Sequence, residues 1–324
     1  MLNKKVLNIN KNNTSKWKDD VIRSVSYYND WFMSFAPMSY VRARNEAIAR
    51  VDAALQATKH FRTLTTQTLK DAPEFLSILR MSTIPPLALD RLSGLANVPR
   101  SFIKIMEAGK IPQRIDTAVV AQNIDSLLSV ISKLLDREIL PWLYRDDNPS
   151  PKEQLLSASV IADRLCGSMA DPIIRNEQER RQLQNISQYL ISKGYAFVKT
   201  KNIESIDTMH PGTFSYHINV PVTVGGTKKV DMPIDVVLKR RNARKGEMPV
   251  LIECKSAGDF TNTNKRRKEE ATKIEQLRAT YGKDVEFVLF LCGYFDTGYL
   301  GYEAAEGIDW IWEHRITDFD KLFL

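Results

Sequence analysis

Pro249-Val250-Leu251-Ile252-Glu253-Cys254-Lys255 is an apolar run that ends in a carboxylate and an ammonium two positions apart. Just upstream, Met232-Pro233-Ile234-Asp235-Val236-Val237-Leu238 is a second apolar run with a carboxylate at its centre. Residues i and i+2 of a strand face the same way. Read as a strand, the first run projects Glu253 and Lys255 together and packs Val250, Ile252 and Cys254 on the other side. The acidic-x-lysine triplet occurs once in the chain. The competing reading is an exposed ion pair on an edge strand, which contributes little; the place of the triplet, ending a strand that precedes a helix and another buried strand, weighs against it.

These residue types suit one chemistry. Hydrolysing a phosphodiester requires charge neutralisation on the phosphate and a deprotonated water. Mg²⁺ takes oxygen ligands, often one or two carboxylates with waters and phosphate oxygens. Asp235 and Glu253, 18 positions apart, supply these if their strands are neighbours. Lys255 can orient or deprotonate the attacking water and offset charge in the transition state; the base role needs a lowered pKa. Asp231 shares a strand face with Asp235 and leaves the first carboxylate open, with Asp235 preferred because it lies among Ile234, Val236 and Val237. In the helical stretch after Arg175, setting Leu183, Ile186 and Leu190 inward places Glu179 on the same face. Glu179 is thus a candidate further ligand or water holder, against a helix-start glutamate favoured by the macrodipole.

Outward from these strands, the pattern divides the chain. Residues 1–15 read as a disordered tail. Residues 16–150 read as a helical domain, with apolar residues at three- and four-residue spacing. Tyr144 to Pro151, polar with two prolines, is the expected linker. Residues 151–324 then form a mixed domain: a short helix over 152–165, a helix over 176–193, and strands near 195–199, 214–224, 230–239 and 250–255. A charged helix over 265–281 and the continuous apolar run Val285 to Leu291, a buried parallel strand, complete a crossover unit. The fold class is therefore α+β/α/β mixed, a helical domain followed by a mixed sheet flanked by helices.

The 324 residues carry a formal net charge of +7, which permits a polyanionic partner without requiring one. Two basic runs, Lys239 to Lys245 and Lys265 to Lys268, bracket the Glu-x-Lys strand. Cys166, Cys254 and Cys292 are widely spaced and form no zinc knuckle. With no signal-peptide core in the polar N-terminus and no membrane-length apolar stretch, a cytoplasmic location and no membrane association are expected. His60, His210, His217 and His314 show no metal-ligand spacing. Trp310, Trp312 and Phe319 read as core, and Glu303 and Glu306 as helix surface.

Pro-Ile-Asp235 followed by Glu253-Cys-Lys255 resembles the PD-(D/E)xK nuclease superfamily. The run from Asp259-Phe260-Thr261-Asn262-Thr263-Asn264-Lys265-Arg266-Arg267-Lys268-Glu269-Glu270 through Gly301-Tyr302-Glu303-Ala304-Ala305-Glu306-Gly307-Ile308-Asp309-Trp310 is similar to type II restriction endonucleases of the XamI type. The resemblance covers the C-terminal half well and the helical half loosely; Ile234, between Pro233 and the aspartate, departs from the superfamily pattern. It implies a PD-(D/E)xK restriction-endonuclease-like sheet and Mg²⁺-dependent cleavage of double-stranded DNA at a short palindrome, GTCGAC for XamI itself. It also implies a cognate DNA methyltransferase in the same system.

In this frame Asp235 and Glu253 are the metal ligands, Lys255 handles the water, and Glu179 is a fourth catalytic candidate. Asn262, Asn264, Lys265, Arg266, Arg267 and Lys268 are the candidate DNA contacts, offering amides to adenine edges and cations to phosphates. A solvated helix face is the alternative. Leu89 to Pro112 suggests a helix-turn-helix exposing Arg100, Ser101 and Lys104; a plain helix pair is the alternative. Cutting both strands of a palindrome needs two sites, so a homodimer is expected. The rivals are another nuclease of the superfamily (repair, nicking or junction-resolving) and an inactive DNA-binding regulator, the latter disfavoured by the intact Asp235, Glu253 and Lys255.

Overall fold

The structure, a computed structural model, describes residues 8–323 other than 204, 226, 227, 245 and 262, and not the side chains of residues 263–266. The chain divides into two compact units, Ala36–Ile174 and Met1–Phe35 with Arg175–Leu324. The division falls inside two long helices, α1 (Thr14–Ala57) and α7 (Pro151–Ser192), close to Pro37 in one and Pro172 in the other. A proline inside a helix removes one backbone hydrogen bond. The two helices expected over 152–165 and 176–193 are thus one, carried through Pro172.

The unit Ala36–Ile174 is helical. Between α1 and α7 lie α2 (Thr66–Asp71), α3 (Phe75–Met81), α4 (Leu89–Ala96), α5 (Arg100–Glu107) and α6 (Thr117–Leu134). Their apolar stripes close one core, with Val51, Leu76, Leu92, Phe102, Ile124 and Trp142 among its buried members. Left-handed Asn97 ends α4 and Pro99 caps α5, so the expected helix pair forms with Arg100, Ser101 and Lys104 exposed. The segment 144–151, expected as the linker between domains, lies inside this unit. Arg62 holds its start by donating to the carbonyls of Trp142, Arg145 and Asp147.

The other unit is built on six strands in sequence order: β1 (Ala196–Phe197), β2 (Thr213–Val224), β3 (Lys228–Lys239), β4 (Val250–Ala257), β5 (Phe287–Gly293) and β6 (Asp309–Trp312). β2, β3 and β4 pair antiparallel; β1 with β2, and β4 through β6, pair parallel. Parallel pairing of β4 with β5 needs a crossover, supplied by α8 (Thr263–Tyr281); α9 (Thr297–Ala305) links β5 to β6. One face of the sheet packs on Ile186 and Leu190 of α7 with Phe319 and Leu322. The other packs on Ile274 and Leu277 of α8 and Leu300 of α9. Every residue of β5 is buried, as a strand covered on both faces requires.

The tail is ordered from residue 8 onward, against the expectation of disorder to residue 15. The Asp309 carboxylate accepts the backbone N–H groups of Ile9, Asn10 and Lys11 at 2.6, 2.8 and 3.1 Å, and Ile9 is fully buried. Residues 1–7 lie outside the described residues.

Within the β2–β3 hairpin the alternation changes phase. Phe214, Val236 and Leu238 face the α7 side, whereas Ile218, Val220, Met232 and Ile234, of the same even parity, join the α8 side. The change falls at His217, whose φ is +50°, and at Asp235 directly opposite, between the pairs Tyr216↔Val236 and Ile218↔Ile234.

Candidate active site

The site grows from the place where β3 and β4 part. Their ladder ends at Val236↔Ile252, and the next amide, that of Cys254, donates instead to Asp235 Oδ2 at 2.8 Å. Asp235 is thereby fixed beside the strand that carries Glu253 and Lys255. Both carboxylates and Lys255 line a cavity of about 320 Å³, closed on another side by Arg175, Gln178, Glu179 and Gln182 of α7. Buried Gln182 pins α7 to the sheet, its amide donating to the carbonyls of Phe290 at 3.3 Å and Lys255 at 3.4 Å. Asp231 is exposed, opposite Pro221 near the far end of the hairpin.

Glu253 and Lys255 face α8, which adds two residues the sequence reading did not single out. Lys255 Nζ lies 3.1 Å from Glu253 Oε1 and 3.1 Å from Glu270 Oε1, and Lys273 Nζ lies 2.6 Å from Glu253 Oε1. Glu270 is fully buried, and so is Glu303 of α9, which the sequence had placed on a helix surface. Helical spacing of acids and bases looks solvated; here the packing of α8 and α9 on the sheet encloses them.

Burial raises the Asp235 carboxyl to about 6, with the charge of Glu253 adding to it. Burial would lower the Lys255 ammonium, but Glu253 and Glu270 outweigh it and push it up to about 12. Burial, then the charge of Glu270, takes the Glu303 carboxyl up to about 8. Glu253 and Glu270 thus favour the ammonium form of Lys255.

Glu179 stands at the cavity wall, half exposed, with His217 Nε2 at 3.7 Å from its Oε1. One ligand atom from each of Glu179, His217 and Asp235 falls within 4.8 Å of the others. His217 carries no spacing signal in the sequence; only the hairpin register sets it against Asp235.

Of the expected DNA contacts, Asn262 and the side chains of Asn264, Lys265 and Arg266 lie outside the described residues. Arg267 stacks over the Tyr302 ring at 3.6 Å, and Lys268 is exposed. Much of the other basic run is absorbed by the fold: Lys239 is buried and donates to the Glu247 carbonyl, and Arg240 pairs with Glu286. No described helix is long and apolar enough to cross a membrane.

The fit to a divalent cation rests on the donors themselves. Glu253 is 5% exposed, and its Oε2 has no hydrogen-bond partner. A buried carboxylate oxygen left without a donor is costly, and a cation shared with Asp235 would satisfy it. Two carboxylates and a lysine around an open cavity have the makings of a metal-assisted phosphoesterase site.

The model of the XamI restriction endonuclease family matches residues 59–312. The type II restriction enzyme SalI from Streptomyces albus G is 47% identical over 312 residues, covering 96% of this chain and 98% of that enzyme. The chain belongs to the XamI restriction endonuclease family and is a restriction endonuclease, a site-specific hydrolase of phosphodiester bonds. Among solved structures, protein VC1899 from Vibrio cholerae is 14% identical and covers 79% of this chain and 55% of its own, with a TM-score of 0.27; a likeness at that level defines no shared fold.

Proposed function

We propose that the chain makes Mg²⁺-dependent double-strand cuts in DNA at a short palindrome, as a type II enzyme with a PD-(D/E)xK site. The observation that carries this reading is the convergence of Asp235, Glu253 and Lys255 on one cavity, with a buried oxygen of Glu253 left unpaired. Asp235 and Glu253 would hold the metal. When bound, a divalent cation neutralises phosphate charge and acidifies water. Lys255, kept as an ammonium by Glu253 and Glu270, opposes the negative charge that builds on the phosphate oxygens. Gln182 keeps α7 seated on β4 and β5, so that Glu179 stays at the cavity wall.

Arg267 and Lys268, at the start of α8, would meet phosphates next to the cleavage site. The resemblance to XamI offers GTCGAC as the target. Two sites acting on one palindrome favour a homodimer, and the host genome would be protected by a cognate methyltransferase. The helical domain would help to grip DNA, with Arg100, Ser101 and Lys104 as candidate contacts.

Plasmid digestion with Mg²⁺, followed by sequencing of the ends, tests the reading. One palindrome with defined ends on both strands is expected. Nicks, or ends at unrelated sequences, would point to another kind of nuclease.

A further inference from the structure

A second donor group overlaps the Asp235–Glu253 pair: Glu179 and Asp235 line the cavity, and His217 stands beside Glu179. Glu179, His217 and Asp235 bring two carboxylates and an imidazole to within 4.8 Å of one another. They come from α7, β2 and β3, so the sheet register and the α7 packing set the geometry. His217 is held there by a left-handed backbone, φ +50°, rare for a residue other than glycine. Its ring meets Tyr216 edge-on at 6.5 Å, and its side chain is 58% exposed beside Glu179. The same cavity is lined by Glu253, nineteen-twentieths buried, whose Oε2 has no hydrogen-bond partner.

We infer that His217 is a nitrogen ligand for a divalent cation held with Asp235 and Glu179. This rests on the reading of Asp235 as a metal ligand. Mg²⁺ favours an all-oxygen shell, whereas first-row divalent ions accept imidazole more readily, least for Mn²⁺ and more for Co²⁺ in the Irving–Williams order. A donor set of one nitrogen and two carboxylates therefore tilts the site towards Mn²⁺ and Co²⁺ relative to Mg²⁺. His217 would then bias which cation the enzyme retains at the position that Asp235 shares with Glu253.

Mn²⁺ bound to the full chain without DNA can be read by pulsed electron paramagnetic resonance. The expected result is ¹⁴N modulation from a coordinated imidazole, lost in His217→Asn, a substitution that tolerates the left-handed backbone. In the same variant the preference for Mn²⁺ over Mg²⁺, measured by competition, should fall by about tenfold or more. Bound Mn²⁺ with no ¹⁴N modulation, or modulation that survives His217→Asn, overturns the inference and leaves the carboxylate site standing. Mn²⁺ binding unaltered by Asp235→Asn or Glu253→Gln would instead overturn the metal-site reading itself, and this inference with it.

Discussion

Lys273 Nζ lies 2.6 Å from Glu253 Oε1, closer than Lys255 Nζ at 3.1 Å. One carboxylate oxygen is thus shared by two ammonium groups while the other has none. A cation approaching Glu253 meets both positive charges. Lys273→Met keeps the length and removes one charge. Relief of roughly 1 kcal/mol of repulsion should tighten Mg²⁺ or Mn²⁺ binding about fivefold in titration calorimetry without DNA. Equal or weaker binding would show that Lys273 does not compete with the metal.

Lys255 and Glu270 should separate by size of effect. Lys255→Ala removes the cation opposing transition-state charge and should lower the single-turnover cleavage rate by about 10²–10³, with DNA affinity nearly unchanged. Glu270→Gln keeps the shape but loosens the hold on Lys255, so a smaller fall is expected. Cleavage by Lys255→Ala at the normal rate would remove Lys255 from the mechanism.

Glu303 gives a pH signature. Its carboxyl moves from the ordinary 4.5 to about 8 because it is buried, and because Glu270 adds charge. The folded state therefore holds a proton that the unfolded chain releases above about 4.5. The stability this contributes is full at low pH and drains away as pH rises towards 8. Glu303→Gln has no such proton. Its melting temperature should gain on the parent steadily between pH 5 and pH 8, then level off. A constant difference across that range would mean that Glu303 is ionised in the fold.

Arg181 is expected to matter for stability rather than chemistry. Its guanidinium lies over the Trp31 ring at 4.3 Å and donates to Glu313 at 3.0 Å, and the Glu313 side chain is fully buried. Arg181→Ala leaves that carboxylate with the Asn185 amide as a donor, at 2.8 Å, and no cation in Arg181's place. The cost should be about 3–5 kcal/mol, seen as a lower denaturation midpoint. Arg181→Met combined with Glu313→Gln should recover part of it; a double variant no better than the single would rule out the unpaired charge as the cause.

The parts legible in the sequence are those that period alone determines. Alternation along 250–255 put Glu253 and Lys255 on one face, and the unbroken apolar run before Gly293 gave a strand covered on both sides. Tertiary packing hid the rest. Pro172 and Gly167 look like breaks, yet α7 continues through them because both of its ends are packed. A glutamate within a charged helix reads as solvated, so the enclosure of Glu270 and Glu303 left no trace. Lys239 reads as part of a basic patch until its neighbours bury it. His217 depends on a register and a backbone angle that no spacing rule records.

The phase change at His217 and Asp235 ties chain length to chemistry. A residue inserted or deleted in β2 before His217, or in β3 after Asp235, would send the side chains of that half to the opposite face of the sheet and move the imidazole away from Glu179 or the carboxylate off the cavity in the same stroke. The inner half of the hairpin is thus closed to length variation, and drift in length is left to the tip beyond Val224.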